Sequence, residues 1–181
     1  MAAGEPKITL VTGSSRGIGK AIALRLADTA SGVIVHYGKD RTSARDVVRK
    51  IREKGIRSGC YKADLRRKAE AHSLVQRVEK AFGRLDILVN NFGPLQVNPW
   101  EDLDTGDWED ALRANLLSAF ACTQAALPGM RRRRWGRIIN IGYSRAEDLG
   151  PFQDILPYAV AKTGLLIMTR SVAASVARDG V

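Results

Sequence analysis

Short apolar runs alternate along the whole chain with longer stretches in which apolar residues recur every three to four positions. Runs of about 4–8 residues bounded by Gly, Asn or Pro suit strands, and the longer periodic stretches suit helices. The pattern predicts strands at 7–13 (KITLVTG), 32–38 (GVIVHYG), 57–65 (RSGCYKADL, the weakest), 85–91 (LDILVNN) and 136–142 (GRIINIG). It predicts helices at 17–30, 42–55, about 69–82, about 105–127 and 158 to about 177. Strands that are apolar almost throughout imply a parallel sheet covered on both faces. Right-handed crossovers then give an α/β, doubly wound parallel sheet of Rossmann type. No repeat or linker divides the chain, so residues 1–181 are expected to form one domain.

The last predicted helix is apolar on nearly every side, including Val160, Leu165, Ile167, Val172 and Val176. Such a helix is buried on more than one side: one covers the sheet, and another is expected to face a second subunit. With 45% hydrophobic and 27% charged residues, the composition suits a folded domain rather than a disordered one. The opening MAAGEPKITL carries no secretory signal, and no segment is expected to reach the apolar length of a membrane span. Cys60 and Cys122 are far apart and form no CxxC pair, which fits a reduced, cytoplasmic setting with no metal site. Net charge is +10, from 29 Lys+Arg against 19 Asp+Glu. The densest cluster, MRRRRWGR at 130–137, follows a helical pattern, where cations suit the helix C-terminus. A solvated helix end is expected there, with no nucleic-acid partner. Part of the positive excess is assigned to a phosphorylated cofactor.

The turn LVTGSSRGIG sets Gly13, Gly17 and Gly19 between the first strand and first helix, with Ser15, Arg16 and Ile18 among them. Glycines let backbone amides approach a phosphate, and the helix N-terminus adds donors and a favourable dipole. The spacing is G-x-x-x-G-x-G rather than the usual G-x-G-x-x-G. Tyr158 and Lys162 lie at i and i+4, on one face of the last helix. A phenol is normally protonated at neutral pH, and a nearby ammonium would lower its pKa towards use as an acid or base. Asn115 shares a helical stripe with Trp108, Leu112, Leu116 and Ala119. An amide on such a stripe is either a satisfied core group or a functional one.

Four motifs in order, TGSSRGIG, DILVNNFG, RANLLSAF and YAVAK, resemble those of short-chain dehydrogenases/reductases, from about Lys7 to the end of the chain. The members it most resembles are the 3-oxoacyl-acyl-carrier-protein reductases. The loop HYGKDRTS is also similar to that of pteridine reductases within the family. The resemblance implies hydride transfer between NAD(H) or NADP(H) and a carbonyl or alcohol carbon, with Tyr158 giving or taking the proton. It further implies that Lys162 contacts the nicotinamide ribose and that Asn115 orders a water beside it. Asp64 and the adjacent Leu65 in KADL are implied at the adenine, and Asn91 and Gly93 in NNFG along the cofactor. Phe92 stands where the family has a small residue. No acid occupies the end of the second strand, where His36 and Tyr37 stand. Arg16, Lys39 and Arg41, with a hydroxyl from Thr42 or Ser43, are expected to bind a 2′-phosphate, which selects NADP(H), and Tyr37 is expected at the cofactor.

In the family an upstream Ser holds the substrate oxygen. Counting thirteen residues back from Tyr158 gives Arg145. Counting from the strand IINIG gives Tyr143, with Ser144 one residue later. Ser144 has the chemistry and Tyr143 the register; Ser144 is the expected residue. The resemblance also implies further C-terminal strands and a substrate loop beyond Val181, so the fifth strand is expected to be an open edge. The chain is accordingly expected to be weakly stable and weakly active by itself. A non-catalytic NADP-binding scaffold is the alternative reading. The intact family forms dimers or tetramers, and a homo-oligomer acting on a small carbonyl or alcohol substrate is the expectation here.

Overall fold

The computed structural model describes residues 7–144 and 146–181; the first six residues and Arg145 lie outside the described residues. Five strands form one parallel sheet: β1 (Ile8–Val11), β2 (Gly32–Tyr37), β3 (Arg57–Lys62), β4 (Ile87–Asn90) and β5 (Arg137–Asn140). Their order is β3-β2-β1-β4-β5. Successive crossovers run outward from β1 in opposite directions, so a crevice opens at the carboxyl ends of β1 and β4.

Side chains alternate between the two faces of each strand. Ile8, Leu10, Ile34 and Leu88 pack with α3 (Lys68–Phe82) and α5 (Ser118–Arg133). Val11, Val33, Val35 and Val89 pack with α1 (Gly17–Leu26) and α2 (Arg41–Glu53). Both faces are thus covered, as the apolar strands predicted. α6 (Leu156–Val176) lies along α4 (Thr105–Leu112) and beside β5. At the opposite end of the sheet, buried Asp86 accepts from the Ile8 N–H at 2.9 Å and from Arg84 Nε at 2.8 Å. The arginine cluster has structural partners there. Arg131 pairs with Asp179 at 2.7 Å, Arg133 donates to the Leu85 carbonyl, and Arg137 donates to the Gly180 carbonyl at 3.2 Å.

Three elements differ from expectation. The helix expected over 105–127 is interrupted by a π-helical segment, Arg113–Leu117, and then continues as α5 through Pro128 to Arg133. Helix α1 stops at Leu26, with 27–29 in a turn. The segment Leu156–Asp179 is, contrary to expectation, long enough to cross a membrane, with a mean hydropathy of 1.2. Its buried side carries Ala159, Ala161, Lys162 and Leu165.

Candidate active site

The turn after β1 is held from below by His36. The Gly13 N–H donates to His36 Nδ1 at 2.8 Å, and His36 Nε2 lies 3.1 Å from the Ala63 carbonyl. An accepting Nδ1 assigns the proton to Nε2, which then donates to Ala63. The His36 main chain exchanges bonds with Ser14, donating to its Oγ at 3.1 Å and accepting from its N–H at 3.0 Å. His36 is fully buried, and burial lowers its pKa to about 4, so the ring is neutral. His36, which stands with Tyr37 where an acid was looked for, lies beneath the glycine turn. The parity of β2 carried that signal, because His36 shares a face with the core residue Ile34.

A second clamp comes from the strand next door. Asn91 Nδ2 donates to the carbonyls of Thr12 (2.9 Å) and Gly13 (3.1 Å). Thr12 Oγ1 accepts from the N–H groups of Asn91 (2.9 Å) and Phe92 (3.0 Å). The two turns at the crevice are therefore one hydrogen-bonded unit, and Thr12, the first residue of TGSSRGIG, joins them. Phe92, larger than the family's residue, sets its ring edge-on to His36 at 6.1 Å. Gly19 allows this closeness: a Cβ there would collide with the Gly13 carbonyl and the Asn91 amide. The N-terminus of α1 has Arg16 at its cap with no side-chain bond to the first turn, and no acid in that turn. Its N–H groups are open to an anion, which fits a dinucleotide phosphate.

Ser15 is half-buried at this turn, while Arg16, Gly17 and Ile18 are exposed on it, as are Lys39 and Arg41 across the way. Asp40 between them caps α2, accepting from the Ser43 N–H (2.9 Å) and Oγ–H (2.6 Å). These bonds hold its carboxyl below the usual range, with a smaller contribution from Arg16. The carboxylate is engaged with Ser43, and three cations stand around it. Two expected contacts have buried side chains. Tyr37 packs in the α1–α2 core and Leu65 in the α3 core, which leaves each only its main chain to offer. Asp64 is bound by Arg66 through both carboxyl oxygens at 3.0 Å, the main reason its pKa is lowered.

The last set of groups comes from β5, the π-helical segment and α6. Pro157 in the first turn of α6 pre-sets the helical backbone, and one turn carries Tyr158 and Lys162 together. Lys162 is 3% exposed, and its Nζ donates to the carbonyl of Ile141, just past β5, at 2.8 Å. The same Nζ sits 5.6 Å from the Tyr158 ring centroid. Burial lowers the Lys162 pKa from 10.5 to about 8. Tyr158 moves the other way from expectation: burial, and then the neighbouring Tyr143, raise it above its ordinary 10. The Lys162 Nζ is directed to the Ile141 carbonyl, and desolvation of the phenolate dominates. Tyr143 stands edge-to-face with Tyr158, ring centroids 5.7 Å apart, while Ser144 is exposed on the following turn.

Asn115 sits in the π-helical segment, 1% exposed. Its Nδ2 donates to the carbonyls of Ala111 and Pro94, each at 3.2 Å. Its Oδ1 is buried with no hydrogen-bond partner among the described residues. Gly93, with φ of 152°, lies against that oxygen, and a Cβ at Gly93 would overlap it. Beneath, Asn90 donates to Thr123 (3.2 Å) and Asn140 (2.9 Å), and Asn140 to Thr169 (2.8 Å), tying α5, β4, β5 and α6 together. A cleft of about 500 Å³ lined by Tyr143, Pro151, Phe152 and 153–155 opens beside the two tyrosines. A separate one of about 550 Å³ lies on α2 between Arg45, Arg49 and Arg52, away from these groups.

A glycine turn, an uncapped helix end and a switch-point crevice define a Rossmann-type dinucleotide-binding protein. The chain belongs to the short-chain dehydrogenase family, which matches residues 7–181. It is 37% identical over 175 residues to the 3-oxoacyl-acyl-carrier-protein reductase FabG of Staphylococcus aureus (strain N315), covering 97% of this chain and 70% of that one. The fold is similar to that of a metagenomic short-chain oxidoreductase in complex with NADP, with a TM-score of 0.90 and 30% identity over 97% of this chain and 78% of that one. It is equally similar to the NADH-dependent reductase A1-R′ complexed with NAD, with a TM-score of 0.90 and 27% identity over 97% and 75% of the two chains. The chain is thus an oxidoreductase-family member built on a nicotinamide-nucleotide fold.

Proposed function

We propose that the chain is an NADP(H)-dependent carbonyl reductase in which Tyr158 gives the proton to the substrate oxygen. The observation that carries this reading is the Lys162–Ile141 bond, which fixes the Tyr158–Lys162 pair at the carboxyl end of β5, beside the crevice. Bound NADPH supplies the hydride to the carbonyl carbon. Gly13, Ser15, Gly17, Ile18 and Gly19 offer backbone to its phosphates, Asn91 and Gly93 line its path, and Asp64 and Leu65 border the adenine. Raised above its ordinary pKa, Tyr158 is fully protonated at neutral pH and stands ready as the acid. Lys162 holds a positive charge beside it and offsets the phenolate left after transfer. The free Oδ1 of Asn115 can accept from a water on the route by which that proton is replaced. A second hydroxyl for the substrate oxygen comes from the chain segment leaving β5. Exposed apolar groups on the two last long helices, Phe120 at 42% and Ile167 at 63%, support a homo-oligomer.

The choice of NADP(H) over NAD(H) is supported by Arg16, Lys39 and Arg41 around an Asp40 already engaged with Ser43. Comparing dissociation constants for NADPH and NADH by cofactor fluorescence tests it. NADPH is expected to bind more tightly. Arg16→Ala should weaken NADPH by about tenfold or more, the size of one charge-assisted bond, and leave NADH nearly unchanged. Tighter binding of NADH by the unaltered chain would contradict the assignment.

The pH dependence follows from Lys162. An amine is charged below its pKa, so Lys162 is an ammonium at pH 7 and loses its charge as pH rises through about 8. Tyr158 stays protonated across that range. The kcat/KM for carbonyl reduction is therefore expected to be level below about pH 8 and to fall above it. A profile still level at pH 9 would show that the charge on Lys162 does not assist.

A further inference from the structure

We propose that Tyr143 is the catalytic hydroxyl partnering Tyr158, so that two phenols, rather than a serine and a phenol, hold the substrate oxygen. This rests on the carbonyl-reductase reading above. Tyr143 leaves β5 three residues after Asn140, on the strand exit whose Ile141 carbonyl anchors Lys162. Its ring meets that of Tyr158 at 5.7 Å and 75°, and that of Phe152 at 6.1 Å and 67°. An aromatic contact on each side fixes the ring plane and leaves little freedom except rotation of the O–H. Both tyrosines are half-buried. Each phenol carries one O–H donor, and Tyr143 lines the 500 Å³ cleft. Tyr143 also contributes to holding Tyr158 protonated, which places the two hydroxyls in one electrostatic environment. Ser144, in contrast, is exposed on the next turn.

In the reducing direction the carbonyl carbon gains the hydride, the C=O π pair moves to oxygen, and that oxygen takes the proton of Tyr158. Tyr143 donates a hydrogen bond to the same oxygen and keeps its proton. Tyr158 is left as phenolate and is reprotonated from water. A preorganised neutral donor of this kind stabilises charge as it develops on the oxygen.

The test compares the unaltered 181-residue chain with Tyr143→Phe and Ser144→Ala, using NADPH and an acetoacetyl thioester. The Phe variant keeps both ring contacts and removes only the hydroxyl. Tyr143→Phe is expected to lower kcat about 10²-fold with the KM for NADPH unchanged, while Ser144→Ala stays within about twofold. The reverse pattern would overturn the proposal. A pH titration of ring-13C-labelled tyrosine gives a readout free of turnover: Tyr143→Phe should lower the Tyr158 pKa while burial still holds it above its ordinary value, and Ser144→Ala should leave it in place. An unmoved Tyr158 in the Phe variant would also overturn the proposal. A chain that binds NADPH but reduces no carbonyl would instead overturn the reductase reading, and the titration would still decide whether the two phenols share one site.

Discussion

Tyr158→Phe is expected to lower carbonyl reduction by about 10³-fold while leaving NADPH affinity within about twofold, the loss typical of a positioned general acid. The variant keeps the ring, its edge-to-face contact with Tyr143 at 5.7 Å and its place beside Lys162. It removes only the proton that the substrate oxygen must receive. Water in the cleft is a poor substitute, because it is neither held in line nor prevented from reorganising as charge develops. The burial that raises the Tyr158 pKa is consistent with a residue that begins the reaction as an acid. Single-turnover reduction, followed by loss of NADPH absorbance, separates the chemical step from product release. A Phe variant as fast as the unaltered chain would remove Tyr158 from the mechanism.

Gly93→Ala should damage both stability and catalysis. The Gly93 backbone has φ of 152°, a region that L side chains rarely adopt, and its missing Cβ is the space taken by Asn115 Oδ1. Strained backbone costs about 1–3 kcal/mol and overpacking about 1–3 kcal/mol, so a loss of about 3 kcal/mol is expected. In a domain of this size that lowers Tm by roughly 10 °C. The added methyl also pushes Asn115 away from the Pro94 and Ala111 carbonyls that aim it, so its acceptor should be lost along with the stability. A thermal melt shows the first effect, and kcat measured well below Tm shows the second. A variant with unchanged Tm and kcat would mean that the turn relaxes freely and that Asn115 is not held by it.

Much of this arrangement was legible in the sequence because it depends on periodicity and on short local motifs. The five strands, including the weak β3, and the pairing of Tyr158 with Lys162 follow from side-chain spacing alone. What depends on three-dimensional surroundings did not. The helix expected to end near Leu127 runs on as α5 through Pro128 and Gly129, where Gly129 and Met130 are buried against the rest of the fold. The π-helical turn around Asn115 has no sequence signature; it exists where the amide reaches the carbonyl of Pro94. Ion pairing alone predicted a lowered Tyr158 pKa, whereas the structure directs the lysine to Ile141 and lets burial prevail. His36 was visible as a residue but not as a support, because its partners Gly13 and Ala63 lie 23 and 27 positions away. The proposal of Tyr143 over Ser144 rests on which ring meets Tyr158, which counting along a loop does not reveal.

The central claim, NADPH-dependent carbonyl reduction in this crevice, is tested most directly by deuterium transfer. The 181-residue chain is incubated with NADPH deuterated at the transferable C4 position and an acetoacetyl thioester, and the product is weighed by mass spectrometry. The account predicts a 3-hydroxy thioester carrying one deuterium at carbon, formed by the unaltered chain and not by Tyr158→Phe. Tight NADPH binding with no labelled alcohol from this or other carbonyl substrates would contradict it and leave a nucleotide-binding protein without catalysis.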